Sequence, residues 1–197
     1  MPRPPRPLVD GGCYHLIARG NNRQFLFTDA ETFTYFLDCV RRAKTRYPAK
    51  LYHYCLMSNH IHLLLAIACG TELPKFMQCV LQGYGRWYQH RVGQVGHVWQ
   101  GRYKSPLVAQ DSYFLEAGRY IERNPLQAKL VTELQEYPWS SYPFYAHGTP
   151  SPLVDEDPYY AQLGPNPYRR QEAYREFVRR ASPYTHVLDA ALLESPF

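Results

Sequence analysis

The 197-residue chain reads as an α+β protein of the ferredoxin-like, split βαβ type. Three observations predict this. Short apolar runs of strand length alternate with two longer runs at helical spacing, in the order β-α-β-β-α-β. Two of those short runs meet at a polar two-residue turn, which marks a hairpin and an antiparallel sheet. A third helical run follows the last strand with almost no linker. The expected architecture is one antiparallel sheet with helices on one face, a third helix across the other, and a C-terminal extension.

The elements follow in order. Cys13 to Gly20 has strand length, and Gly20-Asn21-Asn22 signals its turn. Thr28 or Asp29 caps a helix from about Ala30 to Tyr47, with Phe33, Phe36, Leu37 and Val40 on one side, and Pro48 ends it. Leu51–Met57 and His60–Ala68 form strands around Ser58-Asn59. Leu73 to Val92 is a second helix, with Phe76, Val80, Tyr84 and Trp87 at three- and four-residue steps. Val98 to Ala109 reads as a strand or bent strand pair. Asp111 caps a third helix to about Arg123, which Asn124-Pro125 stops. These elements make a first domain of residues 1–131. The extension, residues 132–197, holds a Pro- and Tyr-rich connection and one helix near Arg169–Ala181. In this topology the first and third strands are central.

Composition narrows the function classes. No apolar run approaches the roughly 20 residues that span a bilayer, so no membrane partner is expected. Met1-Pro2-Arg3-Pro4-Pro5-Arg6-Pro7 reads as an extended arm without the apolar core of a secretory signal. Five cysteines with no Cys-x-x-Cys pair read as reduced thiols of a cytoplasmic protein. The net charge is +5, unevenly spread: Cys39 to Gln110 holds ten Lys or Arg against Glu72 alone. Aromatics interleave with that charge in Arg86-Trp87-Tyr88 and in Trp99-Gln100-Gly101-Arg102-Tyr103-Lys104. This suits phosphate neutralisation with base stacking, although a merely solvated basic surface has the same composition.

Chemistry concentrates in two runs. In His60-Ile61-His62-Leu63-Leu64, strand alternation puts both histidines on one face and Ile61, Leu63 and Leu65 on the other. Two neutral imidazoles on a rigid strand supply two-thirds of a divalent-metal site, but the same pattern also occurs on ordinary half-buried strands. In Arg119-Tyr120-Ile121-Glu122-Arg123-Asn124-Pro125, Tyr120 and Asn124 lie one helical turn apart on one face. A phenol can attack a phosphodiester and conserve its bond energy in a phosphotyrosine link. An amide one turn away can hold the Mg²⁺ or Mn²⁺ that polarises the phosphate. Each residue also has a bland reading: Tyr120 as a buried helix aromatic, Asn124 as a helix C-cap before proline. Tyr113, seven residues earlier near the same face, is the rival nucleophile.

Together the motifs resemble the REP-associated tyrosine transposases, a branch of the single-tyrosine HUH-endonuclease transposases. The resemblance rests on Arg19-Gly20-Asn21-Asn22-Arg23, Met57-Ser58-Asn59-His60-Ile61-His62-Leu63-Leu64, Trp99 to Lys104, Tyr113-Phe114-Leu115, Arg119 to Pro125 and Trp139-Ser140-Ser141-Tyr142. It spans roughly residues 10–145. It implies that Tyr120 is the nucleophile, that His60, His62 and Asn124 bind Mg²⁺ or Mn²⁺, and that the protein works in the bacterial cytoplasm on nucleoid DNA. The implied substrate is single-stranded DNA beside a hairpin folded from a repetitive palindrome, cut and rejoined through a 5′-phosphotyrosine. Arg19, Asn21, Asn22, Arg23, Arg86, Trp87, Arg102, Tyr103, Lys104 and Arg119 are then expected on the DNA surface. Two positions depart from the family pattern: Arg123 stands where a hydrophobe is usual, and asparagine serves where the wider group often has glutamine. The alternatives are a catalytically idle DNA-hairpin-binding protein and, more weakly, a zinc hydrolase, which lacks an acid beside His60 and His62. The short link at Gln110 leads us to expect a monomer acting in cis, with a helix-swapped homodimer as the other arrangement.

Overall fold

The computed structural model describes residues 7–108 and 113–180. Four strands, β1 (Cys13–Arg19), β2 (Ala49–Met57), β3 (His60–Ile67) and β4 (Leu107–Val108), form one antiparallel sheet in the order β2-β3-β1-β4. Strands β1 and β3 are therefore central, as the split βαβ order requires. Helices α1 (Ala30–Arg46) and α2 (Leu73–Val92) pack together on one face. Helix α3 (Tyr113–Gln127) lies on the other face, against β2 and β3.

Alternation along β3 divides the core between these faces. Ile61, Leu63 and Leu65 join Phe36, Val40, Phe76 and Val80 in the main cluster under α1 and α2. Leu64 joins Cys13, Cys55, Phe114, Ala117, Tyr120 and Ile121 under α3. Local signals set the helix ends. Asp29 accepts from Thr32 N at 3.1 Å while Thr32 Oγ1 accepts from Asp29 N at 3.3 Å, a capping box at the start of α1. Pro74 opens α2, and Gly93, at φ 65°, closes it in the left-handed conformation.

Two elements differ from their expected extent. The strand expected over 98–109 touches β1 at separated points: Gln100 N donates to Arg19 O, Ile17 and Lys104 exchange backbone bonds, and His15 N donates to Pro106 O. Gly101 at φ 64° bends the run and Pro106 has no N–H to give, so among the described residues only Leu107–Val108 pairs as strand, Ala109 lying outside them. Helix α3 does not stop at Asn124-Pro125 but continues through Pro125 to Gln127. Proline cannot donate to Ile121 O, its partner four residues back. The Asn124 side chain substitutes, its Nδ2 donating to Ile121 O at 3.2 Å and to Tyr120 O at 2.9 Å. The expected cap Asp111, the linker at Gln110, the 1–6 part of the proline arm and Ala181 lie outside the described residues.

The extension folds as α4 (Tyr142–His147) and α5 (Pro167–Arg179) around its own cluster of Tyr142, Tyr145, Tyr160 and Tyr174. Residues 139–155 cover the outer edge of β2: Leu56 N donates to Trp139 O, Ser141 N to Tyr54 O, and Asp155 N to Leu51 O. An edge strand covered in this way offers no backbone to another chain. All five cysteines are free thiols. Among the described residues, no helix is long and apolar enough to cross a membrane.

Candidate functional site

The register of the central strands builds the site. Arg19 pairs with His60 and Ile17 with His62, so Cys13, His15, Ile17 and Arg19 share the face of the two histidines. Helix α3 crosses that face and presents Tyr120, which is only 5% exposed. Its ring meets His62 edge-on at 6.1 Å between centroids and His15 at 5.9 Å. The His60 and His62 rings stand nearly perpendicular, 5.0 Å apart. The fold thus brings together Tyr120 and both histidines, parts separated by about sixty residues of sequence.

Outer hydrogen bonds orient the imidazoles. Asn59 Nδ2 donates to Arg23 O at 3.2 Å, which turns Asn59 Oδ1 toward His60 Nδ1 at 2.7 Å. An amide oxygen only accepts, so neutral His60 holds its proton on Nδ1 and keeps a lone pair on Nε2. His62 Nδ1 lies 2.9 Å from His15 Nε2, and His62 Nε2 is buried without a protein partner. Burial, and after it the charge of Arg19, pushes His60 down to about 4. Burial, followed by the neighbouring histidines and Arg19, pushes His62 well below its ordinary value. Both rings are therefore neutral near pH 7, the form that can bind a cation. Among the described residues no three His, Cys, Asp or Glu side chains cluster to hold a metal. Among the described residues a third ligand would be of another type, and the Asn124 amide is the one α3 offers a turn beyond Tyr120. With Nδ2 committed to the α3 carbonyls, Oδ1 is the atom of Asn124 left to serve as a ligand. The orphaned His62 nitrogen, the neutral rings and an amide oxygen fit a divalent cation held by neutral ligands.

The expected DNA-surface residues separate into groups. Burial, and after it the charge of Arg19, lowers Lys104 as it does His60, so Arg19 and Lys104 form a basic pair beside the histidines. Asn21, Asn22 and Arg23 form an exposed turn with positive φ at Asn22 (49°) and Arg23 (57°), joined to His60 through Asn59. Exposed Arg86 and Arg102 line a groove of about 590 Å³ with Tyr103 and Trp99, between α2 and residues 96–103. The groove belongs to the layer of α2, on the opposite side of the sheet from the histidines. Trp87 is not presented for base stacking: it stacks on Tyr35 at 4.1 Å with Arg91 over its ring.

Arg119 also departs from expectation. It is 4% exposed, ion-paired with Glu116, bonded to Phe177 O at 3.2 Å and set over the Phe177 ring. One turn on, Arg123 donates to Arg179 O at 2.7 Å. Both cations thus satisfy carbonyls at the C-terminal end of α5, where the helix dipole is negative. The arginine in place of a hydrophobe at 123 is accounted for by this contact. The side chain of Tyr113 lies outside the described part of the structure.

Sequence reading missed three groups. His15 could be placed on a strand face, but only the β1–β3 register sets it against His62. Asn59 stood in the quoted motif without a role. Glu122, His53 and Asp157 form a buried triad: His53 Nδ1 and Nε2 each lie 3.0 Å from a carboxylate oxygen, of Glu122 and Asp157 respectively. Carboxylates only accept, so His53 is doubly protonated. Burial alone would lower its pKa, but the bonds to Asp157 and Glu122 outweigh it and hold His53 up at about 9. Glu122 also accepts from Ser141 Oγ at 2.5 Å and from Tyr174 at 2.7 Å, tying α3 to the extension. Gly118 permits this approach, because a Cβ there would meet the His53 ring at 2.6 Å. No periodicity signals such a triad.

Comparison with known proteins places the chain in a family. Residues 9–124 match the family described as IS200-like transposases, more than half of the chain. The chain belongs to the IS200-like transposase family. The fold also matches a REP-associated tyrosine transposase bound to a REP hairpin, at 17% identity and TM-score 0.64, over 80% of this chain and 93% of that one. A candidate transposase from Deinococcus radiodurans R1 aligns at 20% identity over 65% of this chain and 92% of its own, at a TM-score of 0.44, too low to argue from. The comparison with curated proteins gives no match. In this IS200-like transposase the matched region ends at Asn124, so it includes both histidines and Tyr120.

Proposed function

We propose that this transposase cuts and rejoins single-stranded DNA beside a hairpin, through a 5′-phosphotyrosine at Tyr120. The observation behind this reading is the edge-on packing of Tyr120 against His62 on a face where both histidines are neutral. The phenol oxygen attacks the phosphorus, the P–O3′ bond breaks, and the proton lost by the phenol is balanced by one gained at the 3′-oxygen. The strand is left with a free 3′-hydroxyl, and the reverse step rejoins it without a nucleotide cofactor. His60 Nε2, His62 Nε2 and Asn124 Oδ1 would hold a divalent cation, Mg²⁺ or Mn²⁺, which when bound polarises a phosphoryl oxygen. Arg19 and Lys104 neutralise and orient the phosphate beside the histidines. The hairpin as substrate is supported by the structural likeness to a transposase bound to a REP hairpin.

The test is a denaturing gel with a labelled hairpin carrying a single-stranded flank. The unaltered protein with Mn²⁺ should give a covalent adduct. Tyr120→Phe, His60→Ala or EDTA should abolish the adduct while hairpin binding, carried mostly by phosphate contacts, persists. Binding with no adduct under any condition would instead describe an idle hairpin-binding protein.

A further inference from the structure

The interior of the site holds one titratable ring that the proposed reaction does not use. His15 is fully buried on β1, between His62 and Tyr120. Its Nε2 is 2.9 Å from His62 Nδ1, the two rings are 5.1 Å apart, and the Tyr120 ring stands edge-on to both. The backbone fixes this arrangement. With Ile17 opposite His62 and His15 opposite Leu64, His15 is the diagonal neighbour of His62 on one sheet face.

A hydrogen bond between two neutral imidazoles needs one proton in the contact and permits two arrangements. His15 can donate from Nε2, which leaves His62 protonated at Nε2 and unable to offer that nitrogen to a cation. Alternatively His62 donates from Nδ1, His15 accepts at Nε2 and carries its own proton on Nδ1, and the buried Nε2 of His62 keeps its lone pair; His15 Nδ1 and His62 Nε2 both lack a hydrogen-bond partner within the protein. His60 already shows the second pattern, with Nδ1 bound to the Asn59 oxygen. Metal-ligating imidazoles are oriented by a partner on the nitrogen that faces away from the metal.

We propose that His15 is a positioning residue which accepts the Nδ1 proton of His62, fixes the tautomer that turns His62 Nε2 into a ligand, and braces the Tyr120 ring against it. The inference rests on the metal-site reading above. Asn59 and His15 then serve His60 and His62 in the same way, one from the hairpin turn and one from the neighbouring strand. His15 touches neither substrate nor reacting atom in this role.

Three substitutions and one spectrum test it. His15→Phe keeps an aromatic ring but has no acceptor. His15→Gln places an amide oxygen the same number of bonds from Cα as imidazole Nε2, so it can take the His62 proton. His60→Ala reports on the metal reading alone. Mn²⁺ titration followed by electron paramagnetic resonance should show binding about 10- to 100-fold weaker for His15→Phe, close to the parent for His15→Gln, and absent for His60→Ala. Melting in EDTA separates lost affinity from lost fold. If His15→Phe does not fold, the Gln variant and the unaltered protein still decide. In the unaltered protein with Mg²⁺, ¹⁵N–¹H correlation of the imidazoles should find the His62 proton on Nδ1 and no proton on His15 Nε2. A His62 proton on Nε2, or His15→Phe binding Mn²⁺ like the parent while His60→Ala does not, overturns the role of His15 alone. Parent-like Mn²⁺ binding by His60→Ala overturns the metal-site reading and this inference with it.

Discussion

Asp157→Ala should destabilise the protein far more than an ordinary loop substitution. His53 and Glu122 are completely buried and Asp157 is 1% exposed. His53 bridges the two carboxylates at 3.0 Å each, which requires both ring protons. Removing Asp157 leaves the Nε2–H of a buried imidazolium unpaired and also frees Tyr159 N, which donates to Asp157 Oδ1 at 2.7 Å. Breaking a buried pair by deleting one partner costs about 3–5 kcal/mol. For a chain of this size about 2–4 °C of melting temperature is lost per kcal/mol, so the midpoint should fall by roughly 6–20 °C. Urea unfolding and calorimetry measure this, and a double-mutant cycle with His53→Ala should give a coupling above about 1 kcal/mol. Adduct formation should fall as well, because Glu122 sits on α3 two residues from both Tyr120 and Asn124. A loss below about 1 kcal/mol with no coupling would refute the charged triad and the clamp it makes between α3 and the extension.

The histidines also set a pH profile. His53 is held at about 9 against an ordinary 6.5, so its contribution to stability is complete below 6.5 and is lost as the pH rises toward 9. His15 and His60, pushed down to about 3 and 4 with burial the leading cause, act oppositely. Each withdraws up to about 1.4 kcal/mol per unit as the pH falls below 6.5; urea unfolding from pH 4.5 to 9 should therefore peak near 6.5, and a steady rise to pH 9 would contradict the His53 assignment. Arg102→Ala should lower the salt dependence of DNA binding by about one unit of log slope. Arg119→Ala should leave that slope unchanged and lower the melting temperature, since its charge is spent on Glu116 and α5; the reverse pattern would show the surface mapping to be wrong. A mixture of Tyr120→Phe and His60→Ala proteins should stay inactive, because Tyr120 meets His62 of its own chain. Restored cleavage would mean that α3 is exchanged between subunits.

The local pattern of the sequence was enough to show the order of the elements, the common face of His60 and His62, and the one-turn spacing of Tyr120 and Asn124. These follow from the periods of strand and helix, which any sufficiently regular segment displays. Local pattern misjudged Pro125, because a side-chain amide replaced the hydrogen bond that proline removes. It misjudged Arg119 too, because a helix has several faces and charge alone does not say which one meets another helix. What only the tertiary structure decided are the pairings across long separations: His15 with His62, Glu122 with His53, His53 with Asp157. A strand's alternation fixes which face a residue takes, whereas its partner on that face depends on register and on what packs above. Those partners decide which nitrogen of His62 is left without a protein partner and how α3, the helix of Tyr120, is tied to the extension.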